Sequence, residues 1–190
     1  MLHCSTRINV GPRCDRMVRA SVRLATVADL DLLVRHRRSM FESIATFPGR
    51  DLDAADTVYR RWARTRLRTG HLAGFIVELA GVSVASGCAW IMDVQPHPGR
   101  PGTDVVYLLS MFTEPGHRGE GHATRIVRAA MRWAKVRGIS LMVLHASEFG
   151  ESIYRRLGFE RTREMRRSLV PAPRRSPRSS RKTGRRARRS

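Results

Sequence analysis

An apolar run, a glycine-rich turn and an amphipathic segment follow one another between residues 105 and 137, and this order constrains the fold most strongly. The run VVYLLSMF has the nearly continuous apolar character of a strand that is buried on both faces of a sheet. The turn EPGHRGEGHATR, residues 114–125, opens a segment with apolar residues at helical spacing, and Gly138 follows where helices commonly end. The pattern predicts a central strand that turns directly into a helix.

The segments on either side complete a mixed α/β pattern. SVRLAT at residues 21–26 alternates like a short strand, Thr26 is a suitable helix cap, and a second helix is predicted at residues 54–68. Two apolar, β-branched segments separated by Gly81 predict a hairpin: HLAGFIVELAG and VSVASGCAWIMDV. After the central unit we predict a buried strand, a short helix and a last strand, in ISLMVLHAS, EFGESIYRRLG and RTREMRRSL. The order of elements is β-α-α-β-β-β-α-β-α-β.

The two ends of the chain differ from this body in composition. The formal net charge is +20, and residues 171–190 hold nine basic residues and no acidic one. That segment is predicted to be a disordered basic tail, and residues 1–20, which show no periodicity, a flexible extension. Met17 is an alternative translation start. We predict a single domain over residues 21–170.

Membrane, secreted and metal-binding classes have no support in the sequence. No apolar run approaches the ~20 residues of a membrane span, and the N-terminus lacks the apolar stretch of a secretory signal. We therefore expect a soluble, cytoplasmic protein without membrane contact. The three cysteines lack CxxC spacing, which supports neither a disulfide framework nor a zinc site. No metal is expected, and His117 and His122 should face solvent or a bound phosphate.

The turn before the central helix has the composition of an anion site. The first turn of a helix has N–H groups without helical partners, and the helix dipole makes that end positive. Glycines at positions 119 and 121 would let a phosphate or pyrophosphate approach the backbone of residues 118–123. A plain solvated connection is the alternative. The dinucleotide fingerprint lacks its third glycine here, and the chain has no Gly-Lys-Ser/Thr of a P-loop.

The spacing of Arg118, Gly121 and Ala123 resembles the acetyl-CoA signature Arg/Gln-x-x-Gly-x-Gly/Ala of the GNAT superfamily of N-acetyltransferases. The resemblance extends to the apolar strand before the turn, to the amphipathic helix after it, and to the motif Tyr-x-x-x-Gly-Phe at residues 154–159. It covers residues 21–169 and excludes both tails. The runs SMFTEP, LHAS and EMRR are similar to one bacterial subgroup of uncharacterised members.

The resemblance implies a mixed α/β (α+β) fold, in which about four helices flank a central sheet of about six to seven strands. It also implies N-acetyltransferase activity, in which an acetyl group moves from acetyl-CoA to a primary amine of a small molecule or peptide by direct attack in a ternary complex. The strand edge would bind pantetheine and polarise the thioester carbonyl, and the turn would bind pyrophosphate. The implied cofactor-binding residues are Met111, Phe112, Thr113, Arg118, Gly119, Glu120, Gly121, His122, Ala123, Ser147 and Tyr154.

Two residues are candidates for the chemistry. Tyr154 corresponds to the family's general acid and would protonate the departing thiolate; its alternative role is that of a core aromatic residue. Glu114 directly follows the strand and is the candidate general base, with a turn residue as the competing role. Asp104, Glu148 or a chain of water molecules could serve instead. Ser147 stands where the family often has an asparagine that contacts the cofactor.

The sequence constrains the acceptor and the partners less. Arginines in the first two predicted helices favour an acidic or carboxylate-bearing acceptor: Arg35, Arg37, Arg38, Arg60, Arg61 and Arg64. Asp51, Asp53 and Asp56 form a small acidic cluster that would favour a cation instead. The alternative functions are a non-catalytic binding module of the same fold, and a nucleic-acid- or ribosome-associated protein that uses residues 171–190. A homodimer is also compatible with the sequence.

Overall fold

One five-stranded sheet carries the fold, with its strands in the order β1-β2-β3-β4-β5. The computed structural model describes residues 19–44, 51–167 and 169. The strands are β1 (Ser21–Leu24), β2 (Leu72–Leu79), β3 (Val82–Asp93), β4 (Asp104–Thr113) and β5 (Met142–Leu144). The helices are α1 (Leu30–Ser43), α2 (Leu52–Thr69), α3 (His122–Val136) and α4 (Glu148–Arg156). Two 3-10 turns, Val27–Asp29 and Pro115–His117, precede α1 and α3.

The first four strands form an antiparallel meander, and β5 joins β4 in parallel. The connection between β2 and β3 passes through Ala80 and Gly81, whose φ angles of 48° and 81° lie in the left-handed region. Two left-handed residues in succession make a turn that suits the right-handed twist of a hairpin, and glycine adopts this conformation without strain. The hairpin predicted at Gly81 is confirmed.

The last part of β4 contains a bulge next to β3 and is no longer paired with β5. Ser110 has a φ of 54°, which is unusual for a non-glycine residue within a strand, and the β3–β4 register shifts next to it. Pairing with β5 stops at Leu108, opposite Leu144, whereas pairing with β3 continues to Thr113. A bulge bends a strand locally. One edge of residues 109–113 therefore has no strand paired to it within the described part of the chain.

Helices cover both faces of the sheet. On one face α3 packs across β1 to β4 and buries Ile126, Val127 and Ala130. On the other face α1 and α2 bury a second cluster that includes Leu33 and Tyr59. The apolar residues of β2 alternate between the two clusters, as the period of two in a strand requires. Complete burial of a side chain such as Ile126 stabilises the fold by about 1.5–3 kcal/mol.

Local signals set the beginning and end of the helices on the α1–α2 face. Thr26 and Asp29 form a capping box before α1, in which the Asp29 carboxylate accepts the Thr26 N–H at 2.8 Å. The Asp51 carboxylate accepts the Ala54 N–H at the start of α2, and Gly70 ends that helix with a φ of 74°. α2 consequently begins two residues earlier than its sequence pattern predicts.

The fold class is the predicted one, but the sheet has five strands instead of six to seven. The last strand expected in RTREMRRSL is wrong, because residues 161–167 have no regular structure and Met165 is 95% exposed. Charged residues dominate that segment and leave it no apolar face to bury. The strand expected in ISLMVLHAS is confined to Met142–Leu144 and is only half-buried, because β5 lies at an edge of the sheet.

Backbone contacts divide the chain into two units, residues 1–159 and 160–190. The described part of the first unit contains all the helices and strands named above, and the described part of the second contains none. Residues 1–18, with the alternative start at Met17, and the basic tail lie outside the described residues. The domain limits at 21 and 170 stay a prediction. Within the described ranges, no helix combines the length and apolar character that a membrane crossing requires.

Candidate active site

The turn between β4 and α3 is built around two left-handed glycines. Gly119 and Gly121 have φ angles of 83° and 79°, which L side chains rarely adopt. A Cβ atom on either residue would meet nothing within 4 Å, so backbone conformation rather than crowding requires glycine here. The space beside both residues is open, and a ligand can therefore approach the backbone of the turn.

Hydrogen bonds brace this turn from within. The His117 N–H donates to the Glu114 carbonyl at 2.9 Å, and the Arg118 N–H donates to the Pro115 carbonyl at 3.4 Å. Nε of Arg118 donates to the Thr113 carbonyl at 3.3 Å, which ties the turn to the end of β4. The amide of Arg118 is thus used inside the turn.

The N-terminus of α3 begins without a side-chain cap. Gly121 is the N-cap residue, and the first turn of the helix contains no acidic residue. The Gly121 carbonyl accepts the N–H of Arg125 at 3.1 Å, so the helical hydrogen bonds start there. The preceding N–H groups, at His122 and Ala123, belong to the part of a helix that has no intrahelical partner. Together with the positive end of the helix dipole, they make this end suitable for binding an anion.

The unpaired edge of β4 leads along the chain into this anion site. Phe112 is buried and lies opposite Ser86 of β3, and Thr113 lies opposite Ala85. Met111 is half-buried against the core that α3 covers. Because β5 has already separated from β4, the backbone groups at this edge can pair with an extended ligand in the manner of an added strand.

Tyr154 lies in α4 and packs edge-on against Phe159, with 5.8 Å between the ring centroids. Burial raises the pKa of its phenol above the ordinary 10.0. A Cβ atom on Gly150 would lie 3.2 Å from the Tyr154 ring, so this glycine lets the backbone approach the ring closely. Ser147 is the N-cap of α4, and its hydroxyl accepts the Gly150 N–H at 3.3 Å. This cap gives Ser147 a structural role; its predicted cofactor contact stays a prediction.

Glu114 is held by two elements at the end of β4. Its N–H donates to the Val84 carbonyl of β3 at 2.9 Å, and its Oε1 lies 3.3 Å from Nε2 of His36 in α1. The Glu114 side chain is 40% exposed, whereas His36 is 1% exposed. The sequence reasoning missed His36, although its spacing of three from buried Leu33 places it on the inner face of α1.

Neither of the two alternative carboxylates directly follows β4. Asp104 is the first residue of β4, and a ten-residue strand places it about 30 Å from Thr113 at the other end. Glu148 lies in the first turn of α4, where a carboxylate stabilises the helix N-terminus. Of the three candidates, Glu114 therefore directly adjoins both the free edge of β4 and the turn.

Comparison with known proteins agrees with this geometry. Residues 37–159, well over half of the chain, match the profile of the Acetyltransferase (GNAT) family. The chain belongs to the GNAT acetyltransferase family. The matched segment runs from α1 to Phe159 and includes the turn, the free edge of β4 and Tyr154.

Three relatives illustrate the similarity of this GNAT chain to known proteins. A GCN5-related N-acetyltransferase of Ralstonia eutropha is 32% identical with a TM-score of 0.72, covering 80% of this chain and 99% of that one. A predicted acetyltransferase of Clostridium acetobutylicum, crystallised with acetyl-CoA, is 27% identical with a TM-score of 0.73, covering 79% and 96%. An uncharacterised N-acetyltransferase of Methanocaldococcus jannaschii is 30% identical over 108 residues. The aligned segment is 54% of this chain and less than half, 44%, of the length of that relative. The similarity to one bacterial subgroup stays a prediction.

Two histidines and a glutamate of the GNAT turn come together. Oε2 of Glu120 lies 3.0 Å from Nε2 of His122, and Oε1 of Glu120 lies 3.6 Å from Nδ1 of His117. These potential metal-ligand atoms lie within 4.8 Å of one another. His122 is buried and does not face solvent, so of its two expected positions only the one beside a bound phosphate stays a prediction. The convergence arises because the two left-handed glycines fold the turn back; spacing along a helix does not predict it.

Several arginines on the α1–α2 side are paired with acids. Arg38 forms ion pairs with Asp53 and Asp56, and Asp56 also pairs with Arg37 at 3.5 Å. Arg60 pairs with Asp31. Half of the six arginines from which an acidic acceptor is predicted thus already have carboxylate partners. These ion pairs weaken the charge argument for that acceptor.

A cavity of about 440 Å³ lies at the opposite end of the GNAT sheet, lined by residues 100–104 and 137–140. Its wall includes Asp104 at the start of β4 and the end of α3. The turn and the free edge of β4 lie at the other ends of the same two elements. This cavity is therefore distinct from the candidate active site.

Proposed function

We propose that this protein transfers an acetyl group from acetyl-CoA to a primary amine of a small molecule or peptide, by direct attack in a ternary complex. The observation that carries the proposal is the continuity of two features. The edge of β4 that β5 leaves at Leu108 runs into the uncapped N-terminus of α3 at Gly121. The strand edge suits an extended pantetheine arm, and the helix end that follows it suits a pyrophosphate.

The proposed binding of acetyl-CoA is mainly to the backbone. The N–H groups of Gly119 to Ala123 would donate to the pyrophosphate, and the guanidinium of Arg118 would add positive charge beside them. The edge at Met111 to Thr113 would bind the pantetheine arm and orient the thioester. A backbone donor there can stabilise negative charge on the thioester oxygen without any polar side chain. Acetyl-CoA supplies the acetyl group and the thiolate leaving group.

Tyr154 is the proposed general acid. A neutral amine that attacks the thioester carbon forms the new C–N bond, and the C–S bond then breaks to release a thiolate. The phenol of Tyr154 would donate its proton to this sulfur. The phenol carries its proton at neutral pH even at its ordinary pKa of 10.0, and burial raises that pKa further, so the proton is present when the thiolate leaves. The edge-on contact with Phe159 restricts the orientation of the Tyr154 ring.

Glu114 is the proposed general base. The attacking nitrogen must lose a proton, and a carboxylate beside the strand edge can accept it directly or through one water molecule. Glu114 supports this role by its position at the end of β4 and by its exposure of 40%, which leaves it accessible to an amine. The hydrogen bond from its N–H to the Val84 carbonyl of β3 fixes the backbone from which the carboxylate extends.

A turnover screen tests the proposal. Release of CoA thiol is followed with acetyl-CoA and separate panels of amines, amino acids, polyamines and lysine-containing peptides, in wild type and Tyr154→Phe. We expect at least one panel to give turnover, and we expect the variant to lose about 10²-fold or more in kcat. Equal turnover in the variant would remove Tyr154 as the acid. Absence of turnover, with acetyl-CoA still bound, would favour the non-catalytic binding module.

The basic tail supports a separate hypothesis of nucleic-acid contact. Nine basic residues without an acidic one in residues 171–190 would give a salt-dependent affinity for phosphate backbones. The hypothesis stays a prediction, as does that of a homodimer. Deleting residues 171–190 should abolish binding to an oligonucleotide at low salt, and unchanged binding would rule the tail out. Sedimentation of the intact chain tests the homodimer.

A further inference from the structure

His36 is a buried polar side chain that the proposed chemistry does not yet use. It is 1% exposed, and its ring centroid lies 5.0 Å from that of Phe112 in β4. Its Nδ1 lies 2.9 Å from Oγ of Ser86, and its Nε2 lies 3.3 Å from Oε1 of Glu114. Burying a polar ring is costly unless its nitrogens have partners. Both nitrogens of His36 are directed to groups at the end of the β3–β4 pair.

We infer that His36 is a positioning residue for Glu114, whose Nε2–H holds one carboxylate oxygen while the other faces the acceptor amine. The inference rests on the proposed function, because it assigns Glu114 as the base. The contact is not aligned as a full hydrogen bond in the structure. Catalytic hydrogen bonds often tighten only when the substrate is bound, and a separation of 3.3 Å leaves little movement to make.

The chemistry of the partners determines which nitrogen of His36 carries the proton. Burial lowers the pKa of His36, Arg35 acts in the same direction, and the charge of Glu114 opposes them. A neutral imidazole has one N–H. The Ser86 hydroxyl can donate a hydrogen bond to Nδ1, whereas an ionised carboxylate can only accept. The proton of His36 therefore belongs on Nε2, where it faces Glu114.

The strand β3 positions both residues that contact the nitrogens of the His36 ring, Ser86 and Glu114. Ser86 is itself 1% exposed and lies opposite Phe112 in the sheet. Val84, two residues earlier, accepts the N–H of Glu114. His36 adds a third support from α1, which packs against β3 and β4. The carboxylate of Glu114 is thus held from the sheet and from the first helix together.

The tautomer of His36 can be measured without any substrate. In protein labelled with ¹⁵N-histidine, long-range ¹H–¹⁵N spectra distinguish Nε2–H, Nδ1–H and doubly protonated rings. The chain has seven histidines, and the His36→Gln variant assigns the signal of His36. We expect the Nε2–H form at pH 7 in wild type and also in Ser86→Ala, because the Glu114 carboxylate beside Nε2 can only accept. An Nδ1–H form or an imidazolium in wild type would overturn the inference.

A double-mutant cycle tests whether His36 acts through Glu114. The kcat is measured with acetyl-CoA and the fastest amine of the turnover screen. We expect His36→Leu to lower kcat about tenfold in wild type and to have no effect in the Glu114→Gln background, because coupled residues are non-additive. His36→Gln, which keeps a donor for the carboxylate, should retain more activity than His36→Leu. Leu33→Val, on the same buried face of α1, is the control and should act equally in both backgrounds.

The outcomes separate this inference from the proposed function. If His36→Leu lowers kcat equally in both backgrounds, His36 is a structural residue of α1 and the inference is wrong, while Glu114 can still be the base. If Glu114→Gln leaves kcat unchanged, the proposed base and the inference both fail. Thermal unfolding of each variant distinguishes loss of folded protein from loss of turnover.

Discussion

Gly87 and Met111 share one small space in the β3–β4 pair: a Cβ atom on Gly87 would overlap Sδ of Met111. The same Cβ atom would lie 2.9 Å from Cγ2 of Ile126 in α3, well inside van der Waals contact. The glycine thus allows the side chains of Met111 and Ile126 to pack closely against β3. This relation links the core directly to the strand edge that is proposed to bind acetyl-CoA.

We expect Gly87→Ala to destabilise the protein by about 1–3 kcal/mol, since an additional methyl group overpacks this site. The KM for acetyl-CoA should rise as Met111 is displaced. Urea denaturation measures the first effect and steady-state kinetics the second. Gly102→Ala is the control, because a Cβ atom there would meet nothing within 4 Å. Equal stability of the two variants would show that Met111 does not need the space.

The alkaline side of the pH–rate profile should report Tyr154. A general acid must carry its proton, and burial raises the pKa of this phenol above the ordinary 10.0. The rate should therefore stay constant up to about pH 10 and fall as the pH rises further through the raised pKa of Tyr154. In Tyr154→Phe this alkaline decline should disappear together with most of the activity. A decline at the same pH in both proteins would assign it to another group.

Acetyl transfer should be sequential and should not use Cys88 as a carrier. Cys88 is 1% exposed, and burial raises the pKa of its thiol to about 11, so little thiolate is present at neutral pH. We expect intersecting initial-rate plots and no acetylation of Cys88 by mass spectrometry after incubation with acetyl-CoA. Cys88→Ala should retain kcat. Parallel plots together with an acetylated Cys88 would show a covalent carrier instead.

Asp29 should stabilise the fold at neutral pH but not in acid. Its side chain is 15% exposed and pairs with Arg23, which lowers the pKa of Asp29 from 3.8 to about 2. Because the folded state has the lower pKa, its contribution is complete above the unfolded pKa and disappears as the pH falls through about 2. Asp29→Asn should therefore destabilise the protein at pH 7 and little at pH 2. Urea midpoints at both pH values provide the measurement, and a difference that persists in acid would contradict the ion-pair explanation.

Local patterns predicted the parts of the site that lie close together in the sequence. The turn, α3 and the hairpin at Gly81 depend on glycine conformation and apolar periodicity, which neighbouring residues determine. The contact between His36 and Glu114 could not be predicted in this way, because it depends on how α1 packs against β4, 78 residues later in the chain. The last strand expected in RTREMRRSL did not form for another reason: charged residues dominate that segment and leave it no apolar face to bury.

The central claim is that acetyl-CoA binds at the N-terminus of α3. Thermal unfolding is measured with and without acetyl-CoA for wild type, Gly121→Glu and Gly138→Glu. Both glycines have a left-handed φ, 79° and 72°, and open space beside them, so the two substitutions impose similar backbone strain. Only Gly121 lies at the proposed pyrophosphate site. We expect acetyl-CoA to stabilise wild type and Gly138→Glu and to leave Gly121→Glu unchanged. Stabilisation of all three proteins to the same extent, or of none, would contradict the claim.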